Sequence, residues 1–172
     1  MKKEIIFFDG DGTLWYPKKT KYSRHPVWLY LDKRFKNHTT HLTIIPSVIS
    51  TLKKLKEKGI ITILLSTHPH PPREAKTIID HKIRYFKLEK FFDGIHATRP
   101  IKNSKGKFIL KILKKRNIQK SKALMVGDSY EWDYKPAKDA GVDATLIESK
   151  YEKHQDKAEK RIKNIKEILK LI

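Results

Sequence analysis

The chain has 172 residues, with 39 lysines and arginines against 19 aspartates and glutamates, a formal charge of +20. That length fits one domain with one sizeable core, and seven Phe, three Trp and seven Tyr argue against disorder despite the charge. The lack of cysteine excludes disulfides, thiolate zinc sites and cysteine nucleophiles, and no apolar run approaches the roughly 20 residues that span a bilayer. Met1-Lys2-Lys3 and the short run Ile5–Phe8, broken by Asp9, do not make a secretory signal. The expectation is a cytoplasmic protein with no membrane partner. The charge points to an anionic partner without naming it. It is concentrated in two segments, residues 16–60 and 102–122, each about +9.

In chain order, Ile5–Phe8 reads as a buried strand ended by Asp-Gly. Trp15 to Leu42 fits no regular pattern and reads as an inserted flap. Within it Trp28, Leu29, Leu31 and Phe35 suit either a short helix or a hairpin. Pro46 starts a helix with Val48, Ile49, Leu52 and Leu55 on one face, and Gly59 ends it. Ile60–Leu65 is a second buried strand, and the prolines of His68-Pro69-His70-Pro71-Pro72 make a loop after it. Glu74–Ile79 is helical and Asp93–Ala97 a short strand. Ser104 caps a helix carrying Phe108, Ile109, Ile112 and Leu113 on one face. Ala123–Val126 is a third apolar strand, Pro136–Ala140 a short helix stopped by Gly141, and Val142–Ile147 a further strand. Ala158, Ile162, Ile165, Leu169 and Ile172 step by four and three, which predicts an amphipathic helix over about 155–172. Short apolar strands alternating with helices predict an α/β fold with a parallel sheet covered on both faces. Ligands bind such sheets beyond the carboxyl ends of the strands.

Two of those strand ends carry acids. In Asp9-Gly10-Asp11-Gly12-Thr13-Leu14 two carboxylates two apart converge on one loop, and like charges repel there unless a cation or special roles compensate. A calcium loop would need an acid or Asn at Thr13, Gly at Leu14 and Glu at Thr20, and all three fail. Gly127-Asp128 with Asp133 repeats the pattern after the third strand. Together these carboxylates offer an oxygen-rich site for Mg²⁺.

With these motifs the chain resembles the haloacid dehalogenase (HAD) superfamily of aspartate-nucleophile phosphatases. The resemblance rests on Phe7-Phe8-Asp9-Gly10-Asp11-Gly12-Thr13, on Ile61–Ser66 ending in serine, on a lysine within 102–107, and on Gly127-Asp128 to Asp133. It runs from about residue 2 to 147. Gly12-Thr13-Leu14-Trp15 and Ile44–Val48 are most similar to its small magnesium-dependent branch without a large cap. The resemblance implies a Rossmann-like three-layer sandwich, one domain over 1–172, with a flap at about 15–43. It implies Asp9 as nucleophile, Asp11 as general acid and base, and Ser66, Thr67 and Lys105 on the phosphate. Mg²⁺ would be held by the Asp9 carboxylate, the Asp11 carbonyl, Asp128 and Asp133.

Lys105 sits in a first helical turn, where a cation opposes the helix dipole, so a functional reason is expected for it. Lys102 and Lys107 are the alternatives. His68 and His70 border the pocket as substrate contacts, a plain loop, or a weak zinc pair. Trp15, Trp28 and Tyr30 face either substrate or core. The expected activity is Mg²⁺-dependent hydrolysis of a phosphorylated small molecule or phosphoprotein. A nucleic-acid-binding protein using the basic segments, or a polynucleotide-end phosphatase, is the competing expectation. Transfer to an acceptor other than water is disfavoured without a large cap, because it must exclude water.

Overall fold

A computed structural model describes residues 2–172 of the chain. Its centre is a six-stranded parallel sheet. β1 (Ile5–Phe8) lies between β4 (Ile61–Thr67) and β6 (Ala123–Gly127). β5 (Gly94–Thr98) flanks β4, and β7 (Asp143–Ile147) and β8 (Arg161–Ile162) continue beyond β6. A central strand of a parallel sheet is buried on both faces, so it reads as a continuous apolar run. Ile5, Ile6, Phe7 and Phe8 are accordingly all fully buried.

Successive residues of β1 feed opposite layers, as strand geometry requires. Ile6 and Phe8 join Leu64 and Val126 under α2 (Val48–Glu57) and α3 (Pro72–Tyr85). Ile5 and Phe7 join Ile63, Leu65 and Met125 under α4 (Ser104–Arg116) and α5 (Lys135–Asp139). The result is the expected three-layer α/β sandwich. Phe8 is level with Leu64 on one side and Val126 on the other. That register puts the chain segments after β1, β4 and β6 at one end of the sheet.

Residues 15–44 lie between β1 and α2. Here β2 (Trp15–Pro17) pairs antiparallel with β3 (Leu42–Ile44), and α1 (Val27–Leu31) sits between them. Of the alternatives for Trp28, Leu29, Leu31 and Phe35, the short helix forms and takes the first three; the strand pair lies outside them, and Phe35 is in neither. Ile49, expected on the apolar face of α2, is 48 % exposed, and Thr51 takes the buried position beside Val48, Leu52 and Leu55. Helix α4 starts at its expected cap, Ser104, so the cap lies one residue earlier. Asn103 stands at the N-cap in the left-handed region, and the Ser104 hydroxyl donates back to the Arg99 carbonyl at 2.7 Å.

The helix expected over 155–172 does not form. Arg161 and Ile162 pair with Leu146 and Ile147 as the sheet's edge strand, between a 3-10 turn at Gln155–Lys157 and another at Ile165–Lys170. Asn164 caps the last turn through its side chain, with Glu167 returning a bond to the Asn164 backbone. Ala158, Ile162 and Ile165 are buried as expected, Leu169 and Ile172 only partly, and Ile168 is buried in addition; the unsatisfied edge of β7 competes with helix formation and wins.

Candidate active site

Three buried carboxylates meet at the C-terminal end of the sheet. Asp9 follows β1, Asp128 follows β6, and Asp133 returns from a π-helical turn at Tyr130–Tyr134, with carboxylate oxygens all within 4.8 Å of one another. Two glycines make this approach possible. A Cβ on Gly127 would lie 2.3 Å from the Asp133 carboxyl carbon. Gly12 has φ +78°, and a Cβ there would sit 2.1 Å from Asp128 Oδ2. Lys105, only 1 % exposed, donates to Asp9 Oδ1 at 2.8 Å and also to Asp133 Oδ1. The Ser129 amide donates to Asp133 Oδ2 at 3.0 Å. Tyr151 donates to Asp128 Oδ2 and the Thr67 amide to Asp9 Oδ1, the latter at 3.4 Å.

One lysine does not neutralise three carboxylates. Burial pushes the Asp9 carboxyl up, Lys105 opposes that, Asp133 adds to it, and the net position is about 7. Burial, then Asp133 and Asp9, holds Asp128 well above the usual carboxylate range. Burial alone would lower the Lys105 ammonium, but Asp133 and Asp9 outweigh it and raise it. Buried like charges held this close, all of them hard oxygen donors, fit a hard divalent cation.

Asp11 is in the opposite electrostatic state. Its Oδ1 accepts from Lys82 Nζ at 2.9 Å, from Tyr30 OH at 2.8 Å and from the Trp15 indole. Lys82 also donates to Tyr30 OH, and its ammonium lies 4.3 Å from the Tyr30 ring centroid. Burial would raise the Asp11 carboxyl, but Lys82, His25 and the Lys82 and Trp15 hydrogen bonds prevail and hold it at about 2. The Asp11 carboxylate is therefore not among the three clustered acids. The sequence reading missed Lys82, yet a signal existed. Ala75, Ile79, Lys82 and Ile83 share the buried stripe of α3, so a lysine interrupts an apolar face.

A cavity of about 340 Å³ opens above Asp9, Asp11, Asp128 and Asp133. His25 and Val27 line it from the segment between β2 and β3, Trp132 and Tyr151 from the other side. Thr67 lines it at the end of β4, while Ser66 is 2 % exposed and lies against Gly10. Lys102 and Lys107 are exposed, so Lys105 is the one lysine of the 102–107 group that reaches the carboxylates. Trp15 and Tyr30 are buried against Asp11, and Trp28 packs edge-on against Phe35. His68 Nδ1 lies 3.0 Å from His70 Nδ1, and burial and then Lys82 hold His68 down at about 4. Among the described residues the histidines have no third metal-ligating partner.

Known proteins are similar to this chain in sequence and in fold. A family-wide profile described as haloacid dehalogenase-like hydrolase matches residues 16–147, which include Ser66, Lys105, Asp128 and Asp133 and begin just after the Asp9–Thr13 loop. A curated relative from Caldanaerobacter subterraneus, provisionally named pyrophosphatase PpaX, is 30 % identical over 121 residues. The alignment covers 69 % of this chain and 51 % of the relative, so the chain spans about half that protein's length. A predicted phosphoglycolate phosphatase from Haemophilus somnus has the same fold at TM-score 0.74 and 17 % identity, over 99 % of this chain and 98 % of that one. A HAD-superfamily hydrolase, subfamily IA, from Geobacter sulfurreducens matches at TM-score 0.71 and 16 % identity, over 99 % of this chain and 100 % of that one. With the profile spanning most of the sheet and three of the four motifs (Ser66, Lys105 and the Asp128–Asp133 loop) inside it, the chain belongs to the haloacid dehalogenase-like hydrolase family.

Proposed function

We propose that the protein is a Mg²⁺-dependent phosphomonoester hydrolase that works through an aspartyl-phosphate on Asp9. The observation that carries this reading is the Asp9-Asp128-Asp133 cluster with Lys105 beneath it, at the floor of an open cavity. The Asp9 and Asp128 carboxylates, with the Asp11 carbonyl and Asp133, would hold the cation. Bound there, it neutralises charge on Asp9 and on the phosphoryl oxygens.

The chain's own groups supply the rest. Asp9 attacks phosphorus, and its ionised form is favoured by Lys105. Lys105 and the Thr67 amide already contact Asp9 Oδ1, so they are placed to hold phosphoryl oxygens brought to the same point. Ser66 supports that strand end. Asp11, two residues on, is placed to exchange protons with the leaving oxygen and then with the attacking water. Asp133 positions Lys105 and the loop after β6. Residues 15–44 act as a flap in this reading, because His25 and Val27 form one wall of the cavity.

Purified protein supplied with Mg²⁺ should release inorganic phosphate from members of a panel of sugar phosphates, nucleotides, phosphopeptides and aryl phosphates. EDTA and Asp9→Asn should each abolish release. No turnover on the whole panel overturns the proposal.

A further inference from the structure

A second cavity lies between the edge strand β5 and helix α4, and it is larger, about 570 Å³. Ile63 and the Gly94 backbone form its floor. A Cβ on Gly94 would stand 3.0 Å from Ile63 Cδ1 and 3.1 Å from His96 Nε2, so a larger residue would crowd the slot. The His96 and Phe108 rings, 5.1 Å apart at their centroids, form an aromatic wall. Lys111, Lys115 and Arg116 stand at the rim.

Among the described residues, of the cations at this rim only Arg116 meets an acceptor, the Asp93 carbonyl at 3.3 Å. The one acid nearby, Asp93, is already taken by Lys56 Nζ at 2.7 Å and the Thr62 amide at 2.9 Å. Lys111, Lys115 and Arg116 make no ion pair among the described residues, and neither do Lys107 and Lys114. The helix dipole favours cations in the last turn of α4. It does not explain Lys107 and Lys111, nor an apolar, ring-walled slot beneath them.

We propose that this cavity binds single-stranded nucleic acid, with a base stacked on Phe108 over Gly94, the tilted His96 ring beside it, and backbone phosphates on Lys111, Lys115 and Arg116. Stacking on an aromatic wall flanked by cations is how single strands are held without sequence reading. An acidic peptide would satisfy the cations but leave the apolar slot unused. A nucleoside monophosphate would fill the slot but bring one phosphate to three cations. The site is remote from the strand-end carboxylates, so it stands whether or not the chain hydrolyses phosphate esters.

The test is fluorescence anisotropy with a labelled 12-residue oligothymidylate carrying no terminal phosphate. Three phosphate contacts should weaken binding about 20-fold between 50 and 200 mM salt. The exposed triple variant Lys111→Glu/Lys115→Glu/Arg116→Glu should lose binding while it stays folded by circular dichroism, with a modestly lower Tm, and any phosphatase rate stays unchanged. Phe108→Leu, which keeps the charge, should weaken binding about tenfold. No binding at 50 mM salt overturns the proposal, as does binding that survives the triple variant. Displacement of the oligonucleotide by poly-glutamate as effectively as by unlabelled oligothymidylate would overturn it in favour of an acidic chain. Equal displacement by thymidine monophosphate would overturn it in favour of a free nucleotide.

Discussion

Replacing Lys82 with methionine isolates the least anticipated interaction in the site. Lys82 is 1 % exposed, so no water can take its place beside Asp11. In the wild type Asp11 is held at about 2 against an ordinary 3.8, a difference of about 2 kcal/mol. A depressed carboxyl pKa stabilises the fold above the unfolded value, near pH 4, and that contribution disappears as pH falls towards 2. Without Lys82, burial is opposed only by His25 and the Trp15 and Tyr30 donors, and the Asp11 carboxyl rises. The sign then reverses, and the variant loses stability as pH rises above about 4. Removing one partner of a buried pair costs about 3–5 kcal/mol, so Lys82→Met should show a penalty of that order at pH 7 and a clearly smaller one at pH 4. Urea unfolding followed by far-UV circular dichroism at both pH values measures it. Tyr30→Phe removes only one of the three donors to Asp11 and should cost about 1 kcal/mol. A Lys82→Met penalty below about 1 kcal/mol at pH 7, or one identical at the two pH values, would refute the reasoning.

Lys105→Ala should lower phosphatase turnover by about 10²-fold or more, whereas Lys107→Ala, exposed and remote from the carboxylates, should leave it within about twofold; steady-state assays with saturating Mg²⁺ decide, and equal mild losses would transfer the role elsewhere. Asp9 at about 7 and Asp128, also raised, make the metal-free protein progressively less stable as pH rises from near 4 through 7. Mg²⁺ should therefore raise Tm more at pH 7.5 than at pH 5, where it must first displace protons; an equal rise at both would count against a site built on these acids. Gly12→Ala places a Cβ 2.1 Å from Asp128 Oδ2 at a positive φ and should destabilise by more than about 1 kcal/mol, with weaker Mg²⁺ protection in the same thermal assay.

What could be read from the residues in advance follows from how local each feature is. The buried strands announce themselves because Ile5–Phe8 and Ala123–Gly127 have no polar face to show. Lys105 was accessible because it breaks a local rule at a helix start and its two partners are motif acids. Lys82 breaks a rule too, a charge within an apolar stripe, but its partner Asp11 is 71 residues away and nothing local pairs them. Tyr151, which bonds Asp128 from the loop after β7, lies in a stretch with no pattern at all. The C-terminal segment failed for a different reason. Its four-and-three spacing is helical, but burial of the same residues is also met by an edge strand and a capped turn, and the free edge of β7 decides between them.

The opposite states of Asp9 and Asp11 bear on the order of chemical events. An Asp11 carboxyl near 2 is ionised at neutral pH, so the resting site holds a base. In the proposed mechanism, activating water against the aspartyl-phosphate needs that base. Protonating a leaving oxygen needs an acid, which Asp11 becomes only by taking up a proton against Lys82. Aryl oxides leave without a proton and alkoxides do not, so the two half-reactions should separate by substrate. In Asp11→Asn, rapid mixing with an aryl phosphate should give a burst of about one equivalent of phenol per site, followed by slow turnover as the intermediate persists. An alkyl phosphate should give no burst, because its leaving group is never protonated. Absence of a burst with the aryl ester, or a burst of the same rate and size with both esters, would remove Asp11 from one of its two roles and require another residue lining the cavity, His25 or Tyr151 first, to carry that proton.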